Sequence, residues 1–427
     1  MLSISHLWQG RDLYIWGAAQ LGRDLNNRLT FLGHRPQGFL DNNQVLVGSS
    51  LDGLQVLSPE SVLDREPGSF FIVLASYGSN EEMGRICEAA GLSGGRDFWP
   101  PREEPQFYFK VDVGGTCNLR CISCDRGNDP DLPHLKPMPF TTFRLVLDKI
   151  LEISPLMPSL HLYMQSEPFL NPELPEIIRE IQGRGLAAIL STNLICRFDF
   201  SEIVKARPRW FRVSASGWGA NYEVTHTGAK WDLFLANLYR LKELRDEHYP
   251  EMEVELFYHL YRHSCGEDRQ RMKSLCRELG FTYQEVLAYL QPADHILAVK
   301  RGESVNEAVR QTMDLQIVSI KEVLPLLEAD RDQPCGFETL VSVYSDLRLE
   351  RCCLWATRGE PVIPHDFLHC SREDLINACR KREKTLCRVC RSVGIHRLMS
   401  VYGSLYESKL AEFLEAEEGL ASRRLLD

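Results

Sequence analysis

Apolar and polar positions follow three different regimes along this chain of 427 residues. Between Asp12 and Asp97, "DLYIWGAAQLGRDLNNRLTFLGHRPQGFLDNN" reads as an apolar strand, a glycine turn, an amphipathic helix and a second strand ending in acid. A later run, "SFFIVLAS", has the continuous apolar character of a strand buried on both faces. These elements predict a small doubly wound domain over residues 1–100. Periodicity then breaks around Pro100, Pro101 and Pro105, which predicts a linker.

The second regime opens at "QFYFKVDVGG" and alternates short apolar runs with helical stretches: "SLHLYMQ", "EIIREIQGRG", "LAAILSTN", "WFRVSASG", "WDLFLANLYRLKELRD", "EVELFYHLY". Repeated βα units of this kind predict a parallel sheet curled into a partial (β/α)6 TIM-like barrel over residues 107–315. In such a sheet the chemistry sits at the C-terminal ends of the strands. The third regime, residues 316–427, holds a strand pair, "TLVSVYSDLRLERC", with Ser345 and Asp346 as its turn. The fold class is therefore α/β, with three domains.

Charge narrows the partners. With 59 acidic and 49 basic side chains the formal net charge is −10, which argues against broad binding to nucleic acid or anionic lipid. The first residues lack a basic stretch leading into an apolar one, and no run nears the ~18 apolar residues of a membrane span. A soluble cytoplasmic protein acting on a small or peptidic substrate is the expectation.

Fourteen cysteines are placed unevenly. Cys87, Cys196, Cys265 and Cys276 stand alone in apolar or periodic surroundings, as buried thiols that act as small hydrophobes. The other ten fall into two clusters, 117–124 and 335–390. In "VGGTCNLRCISCDRG", Cys117, Cys121 and Cys124 occupy one short loop after the first barrel strand. A structural zinc site wants four ligands, usually as two separated pairs. Three thiolates in a tight loop can instead hold three irons of a cubane cluster and leave the fourth open.

This C-x3-C-x2-C loop resembles the hallmark of the radical S-adenosylmethionine superfamily, over about residues 107–297. The resemblance implies that Cys117, Cys121 and Cys124 ligate a [4Fe-4S] cluster. Its open iron is chelated by S-adenosyl-L-methionine, which is reductively cleaved to a 5'-deoxyadenosyl radical. An electron donor such as flavodoxin or ferredoxin is implied as well. "LYMQSEPFLNPEL" resembles the family's second-strand motif, with Ser166 and Glu167 as cofactor contacts. "LSTNL" resembles its third-strand region, offering Thr192 and Asn193, with Leu194 where the family has glycine. "VSASGW" resembles the fourth-strand motif, offering Ser214 or Ser216.

Polar residues at strand ends suggest the substrate pocket. His226 follows the fourth strand, and "VELFYHLYRH" carries Tyr258, His259 and Tyr261. Alternation sends Tyr258 and Leu260 to one face and His259 and Tyr261 to the other. A tyrosine or histidine there could order a polar substrate or donate a hydrogen atom.

In the C-terminal regime, Cys335 and Cys352 flank the strand pair, and Cys387 and Cys390 form a C-x2-C pair. Zinc is chemically admissible at such a four-thiol site. The pattern is also similar to the SPASM and twitch extensions of the same superfamily, which implies one auxiliary [4Fe-4S] cluster on Cys335, Cys352, Cys387 and Cys390. Cys353, Cys370 and Cys379 remain alternatives. Leu347 stands where those extensions have glycine.

The first domain is similar to Rossmann-like domains of some sugar-modifying and polysaccharide-assembly proteins. Gly17, Ala19 and Gly22 occupy the positions of G-x-G-x-x-G, and Asp41 lies where an acid can meet a ribose. That similarity points to a carbohydrate, aminocyclitol or nucleotide-linked sugar as substrate, oxidised, dehydrated or epimerised. A peptide maturase and a non-catalytic zinc-binding protein are the rival readings.

Overall fold

The computed structural model describes residues 4–76, 78–101, 105–129, 132–350, 352, 354, 366–380 and 385–424. The first sheet contains β1 (Asp12–Trp16), β2 (Gly38–Leu40), β3 (Ser50–Leu51), β4 (Leu54–Leu57), β5 (Phe70–Leu74) and β6 (Phe98–Trp99). Its strand order is β3-β4-β2-β1-β5-β6, parallel except for the β3–β4 pair. Alternate residues of β1 enter two separate cores. Leu13 and Ile15 join Leu25 and Leu29 of helix Gln20–Phe31, whereas Tyr14 and Trp16 join Val62 and Cys87 on the opposite face. A strand buried on both faces in this way cannot show a polar side, which is why its sequence is continuously apolar.

The glycine turn after β1 is explained by close packing. A Cβ on Gly17 would overlap the Ala75 carbonyl, and one on Gly22 would overlap the Gly17 carbonyl. Asp41 turns inward to the same turn, accepting from the Ala18 N–H at 2.8 Å and the Asn43 N–H at 2.9 Å.

The second sheet contains β7 (Tyr108–Val111), β8 (Ser159–His161), β9 (Ala187–Thr192), β10 (Trp210–Ala215), β11 (Glu253–Leu260), β12 (Thr282–Leu287), β13 (Leu340–Val343) and β14 (Leu349–Glu350). Its order is β12-β11-β10-β9-β8-β7-β13-β14. The six strands β7 to β12 are parallel and sequential, with a helix packed in each crossover. This is the predicted partial barrel, left open: no pairing joins β12 to β14 among the described residues.

The C-terminal strand pair adds to the barrel sheet. β13 runs parallel to β7 and covers its free edge, and β14 returns antiparallel to β13. The turn differs from the sequence expectation, which used Ser345 and Asp346 alone. Tyr344 N donates to Arg348 O and Leu347 N to Tyr344 O, so the loop spans three residues, the third at positive φ (68°). That is a type I turn closed by a bulge, the usual form of a three-residue hairpin loop.

Helix Gln20–Phe31 of the first sheet lies against the N-terminal end of the barrel. Arg28 donates to Pro155 O, just before β8, at 3.0 and 3.2 Å. Arg209, just before β10, donates to Gln20 Oε1 at 3.1 Å and pairs with Asp24 at 3.6 Å. Burial pushes the Asp24 carboxyl up to about 6 and the Arg28 guanidinium down to about 10. A cavity of about 150 Å³ remains at this junction, lined in part by Leu25, Trp99, Phe107, Met157 and Arg372. The opposite end of the barrel carries the cysteine loop. No helix among the described residues is long and apolar enough to cross a membrane.

Candidate functional site at the C-terminal ends of the barrel strands

The loop 113–124 leaves β7 and is held by most of the strands that follow. Asn118 Nδ2 donates to Ile195 O beyond β9 at 2.6 Å. Arg120 N and Ile122 N donate to Thr227 O and Thr225 O beyond β10, at 2.9 and 3.2 Å. The Tyr261 hydroxyl, beyond β11, donates to Ser123 Oγ at 2.6 Å, and Thr312 Oγ1 donates to Ile122 O at 2.9 Å. Gly127 completes the fold of the loop, since a Cβ there would overlap the Cys121 carbonyl. A loop without regular structure is thereby given a single shape by polar groups from four other segments.

Cys117, Cys121 and Cys124 face one another across this loop. Burial pushes Cys117 up to about 11, Cys124 up to about 12 and Cys121 well above the usual thiol range, with the two neighbouring thiols adding to the rise at Cys121. Cys117 Sγ accepts from Leu119 N at 3.4 Å and from Asn193 Nδ2 at 3.6 Å. Among the described residues no three His, Cys, Asp or Glu side chains sit close enough to share one metal ion. Three thiolates on a cubane each take a separate iron, so they stand farther apart than the ligands of a single ion.

Glu167 is 3% exposed and bridges the second and third strands. Its carboxylate accepts from Phe169 N at 3.1 Å, Thr192 Oγ1 at 2.6 Å and Asn193 N at 2.8 Å, while its own N–H donates to Thr116 O. Burial lifts its carboxyl to about 7. Ser166 donates to Asp112, which also accepts from Gly115 N. Leu194, in the glycine position of the third-strand motif, adopts positive φ (57°) with Thr192 Oγ1 accepting its N–H. Ser214 is half-buried on β10, and Ser216 is buried against Thr225 and the His226 Nδ1.

The structure separates the four candidate substrate residues. Tyr261 meets the cysteine loop, and His259 lies on the same face of β11. His226 is buried, stacked on Tyr222 with ring centroids 4.4 Å apart, and burial drives its imidazole down to about 3. Tyr258 points the other way, into the layer between sheet and helices, where its hydroxyl donates to Ser264 O at 2.8 Å. Strand alternation forces this split, because Leu256, Tyr258 and Leu260 share the outer face.

Among the described residues, Asp125 Oδ1, Gln165 Oε1 and the Tyr222 hydroxyl are buried around the loop with no hydrogen-bond partner. Gln165 Nε2 donates to the other Asp125 oxygen at 2.7 Å, and burial lifts the Asp125 carboxyl to about 7. Tyr222 is wholly buried, with Cys121 and Glu167 close enough to disfavour its ionisation further. Unpaired buried groups cost free energy, and a site that awaits a polar ligand is one setting that retains them. Gln165 lies in the second-strand motif and Asp125 directly follows the third cysteine of the loop, but no local pattern shows that their oxygens or the Tyr222 hydroxyl are left unpaired.

In the C-terminal part, burial raises the Cys335 thiol, and Cys387 is near enough to raise it further. Cys387 and Cys390 lie on one face of helix Thr385–Val393, exposed and buried respectively. Cys352 is half-buried and accepts from Leu354 N at 3.3 Å. Cys379 donates to Glu338 O at 3.4 Å, beside the Cys335 turn. Cys370 is 1% exposed within the apolar core, with its thiol on Ser371 O. Cys353 lies outside the described residues. Cys87, Cys196, Cys265 and Cys276 are all buried, as their apolar surroundings imply.

No protein-family model matches this chain, and no curated protein matches it. Among solved structures, it is similar to BtrN in complex with AdoMet and 2-DOIA, at 11% identity and TM-score 0.38, over 70% of this chain and 92% of that one. It is similar to native anSMEcpe with bound AdoMet, at 12% identity and TM-score 0.47, over 75% of this chain and 100% of that one. It is also similar to Streptococcus suis SuiB bound to precursor peptide SuiA, at 11% identity and TM-score 0.45, over 68% of each chain.

Proposed function

We propose that this chain is a radical S-adenosylmethionine enzyme acting on a polar small molecule, of the carbohydrate, aminocyclitol or nucleotide-linked sugar class. One observation carries the reading: a C-x3-C-x2-C loop clasped over the C-terminal ends of a parallel, barrel-like sheet, with buried polar atoms around it that lack protein partners. In this reading residues 1–100 are a Rossmann-like domain, 107–315 the catalytic barrel and 316–427 the auxiliary domain, in a cytoplasmic protein.

Cys117, Cys121 and Cys124 would hold a [4Fe-4S] cluster, and Cys335, Cys352, Cys387 and Cys390 an auxiliary one. With S-adenosylmethionine bound, and with one electron from a flavodoxin- or ferredoxin-like donor, the first cluster supplies hydrogen-atom abstraction from an unactivated C–H bond. The residues of this chain do the rest. Tyr261 and Thr312 fix the loop by hydrogen bonds to Ser123 and Ile122. Asn193 donates to the Cys117 sulfur, which favours its thiolate. Glu167 holds Thr192 and Asn193 in place, while Asp125 Oδ1 and Gln165 Oε1 remain as acceptors for the cofactor's ammonium. The apolar helices outside the sheet keep water from the rear of the site.

Anaerobic reconstitution with iron and sulfide tests this reading. Charge-transfer absorption, about eight irons per chain and 5'-deoxyadenosine formed from S-adenosylmethionine under reduction are expected. Colourless protein with about two zinc ions would overturn it.

A further inference from the structure

The concave face of the barrel sheet carries two cations, Lys110 and Arg212, in a chain of net charge −10. Lys110 on β7 stands in register with His161 on β8 and Ser342 on β13, whereas its neighbours Phe109 and Val111 enter the outer core. Arg212 on β10 stands in register with Ser191 and Glu255, between Phe211 and Val213 of the outer core. Lys110 and Arg212 both lie close enough to His161 to disfavour its protonation, so the two cations share one space.

The acids on this face are already engaged: Glu350 on β14, in the same row as Ser342 and Lys110, accepts from the Tyr344 hydroxyl at 3.2 Å. Glu255 accepts from Arg212 Nε at 2.7 Å, one carboxylate for one guanidinium. Asp112 is buried beneath donors from Gly115, Gln165 and Ser166. Among the described residues the half-buried Lys110 ammonium makes no ion pair or hydrogen bond, and it lies 5.4 Å from the centre of the Tyr163 ring. Arg212 lies over the Trp210 and Phe257 rings, at 4.8 and 4.3 Å, and among the described residues its two Nη groups make no hydrogen bond. His161 Nδ1 is taken by the Tyr163 hydroxyl at 3.1 Å, leaving Nε2 open. A half-buried, unpaired cation is costly unless a partner arrives. A rigid guanidinium with open N–H groups is suited to oxyanions.

We propose that this lumen recognises an anionic group of the substrate, a phosphate or carboxylate, held between Lys110 and Arg212. The proposal rests on the enzymatic reading above and sharpens its substrate class. It favours phosphorylated, nucleotide-linked or uronic sugars over neutral sugars and cationic aminocyclitols. With Nδ1 accepting from the Tyr163 hydroxyl, neutral His161 has its Nε2–H left to donate to the anion, a hydrogen bond rather than a charge, and Tyr163 fixes the ring.

The test is calorimetric titration of the anaerobically reconstituted full-length enzyme with UDP-glucose, glucose 6-phosphate, glucuronate, glucose and glucosamine. At least one anionic probe should bind, at least tenfold more tightly than glucose or glucosamine and more weakly as salt is raised. The separate arms distinguish a diphosphate, a monophosphate and a carboxylate. Lys110→Met and Arg212→Gln should each weaken that binding at least tenfold, and Lys110→Arg should restore most of it, with circular dichroism confirming that each variant is folded. Binding of no anionic probe, equal binding of glucose, or Lys110→Met binding as wild type would overturn the proposal. Production of 5'-deoxyadenosine by the wild-type enzyme in those same cases would leave the radical reading standing; its absence would sink that reading separately.

Discussion

The Tyr261 hydroxyl donates to Ser123 Oγ at 2.6 Å, joining the end of the fifth barrel strand to the segment between the second and third cysteines. Tyr261 is buried and Ser123 half-buried, so the tyrosine hydroxyl depends on this bond in place of water. Tyr261→Phe and Ser123→Ala are each expected to cost about 1 kcal/mol in urea unfolding. The double variant should cost less than the sum, because the second change removes a group already unpaired. Equal and additive losses would show that the two side chains act independently.

Tyr222 presents the opposite case, a buried hydroxyl with no partner. Removing it by Tyr222→Phe should stabilise the metal-free protein by about 1 kcal/mol, since an unsatisfied group is eliminated. In the reconstituted enzyme with S-adenosylmethionine bound, the same change should destabilise, as the hydroxyl then has a partner to lose. Thermal unfolding of the two forms reads this reversal of sign. A stabilisation of equal size in both would show that Tyr222 faces no bound group.

Two leucines occupy left-handed backbone, and packing decides which can be relieved. The strain is about 1–2 kcal/mol for a side chain with a Cβ. Leu347, half-buried at the hairpin bulge, loses little on truncation, so Leu347→Gly should leave the melting temperature unchanged or raise it. Leu194 is wholly buried, and loss of its side chain costs about 2–5 kcal/mol, more than the strain. Leu194→Gly should therefore lower the melting temperature, despite restoring the residue seen in the resembling motif.

Acidification should act through His226. Burial lowers its pKa from the ordinary 6.5 to about 3 in the fold, so the unfolded chain binds the extra proton between those values. Its contribution to stability is complete above pH 6.5 and is lost as pH falls toward 3. His226→Asn keeps a polar partner for Ser216 but lacks this penalty. Its melting temperature relative to wild type should rise steadily from pH 6.5 to pH 4, and a flat difference would rule the coupling out.

The sequence by itself determined the order of elements and the identity of the cysteine loop. Both are local properties: apolar periodicity sets strand or helix, and the C-x3-C-x2-C spacing lies within eight residues of one loop. Tertiary structure decided what depends on distant segments meeting. Alternation divided Tyr258 from His259 and Tyr261, but only the packing of helices fixed which pair faces the lumen. Glu167 was visible as an acid in a motif, yet its three donors come from the segments 169 and 192–193. The C-terminal strand pair was legible, whereas its addition to β7 follows from an unpaired edge that no local pattern encodes. Lys110 reads as an ordinary strand lysine until the sheet curls and brings it, without a counter-charge, to the same space as Arg212. Charge balance inside a lumen is a property of six strands at once, and no single stretch of sequence contains it.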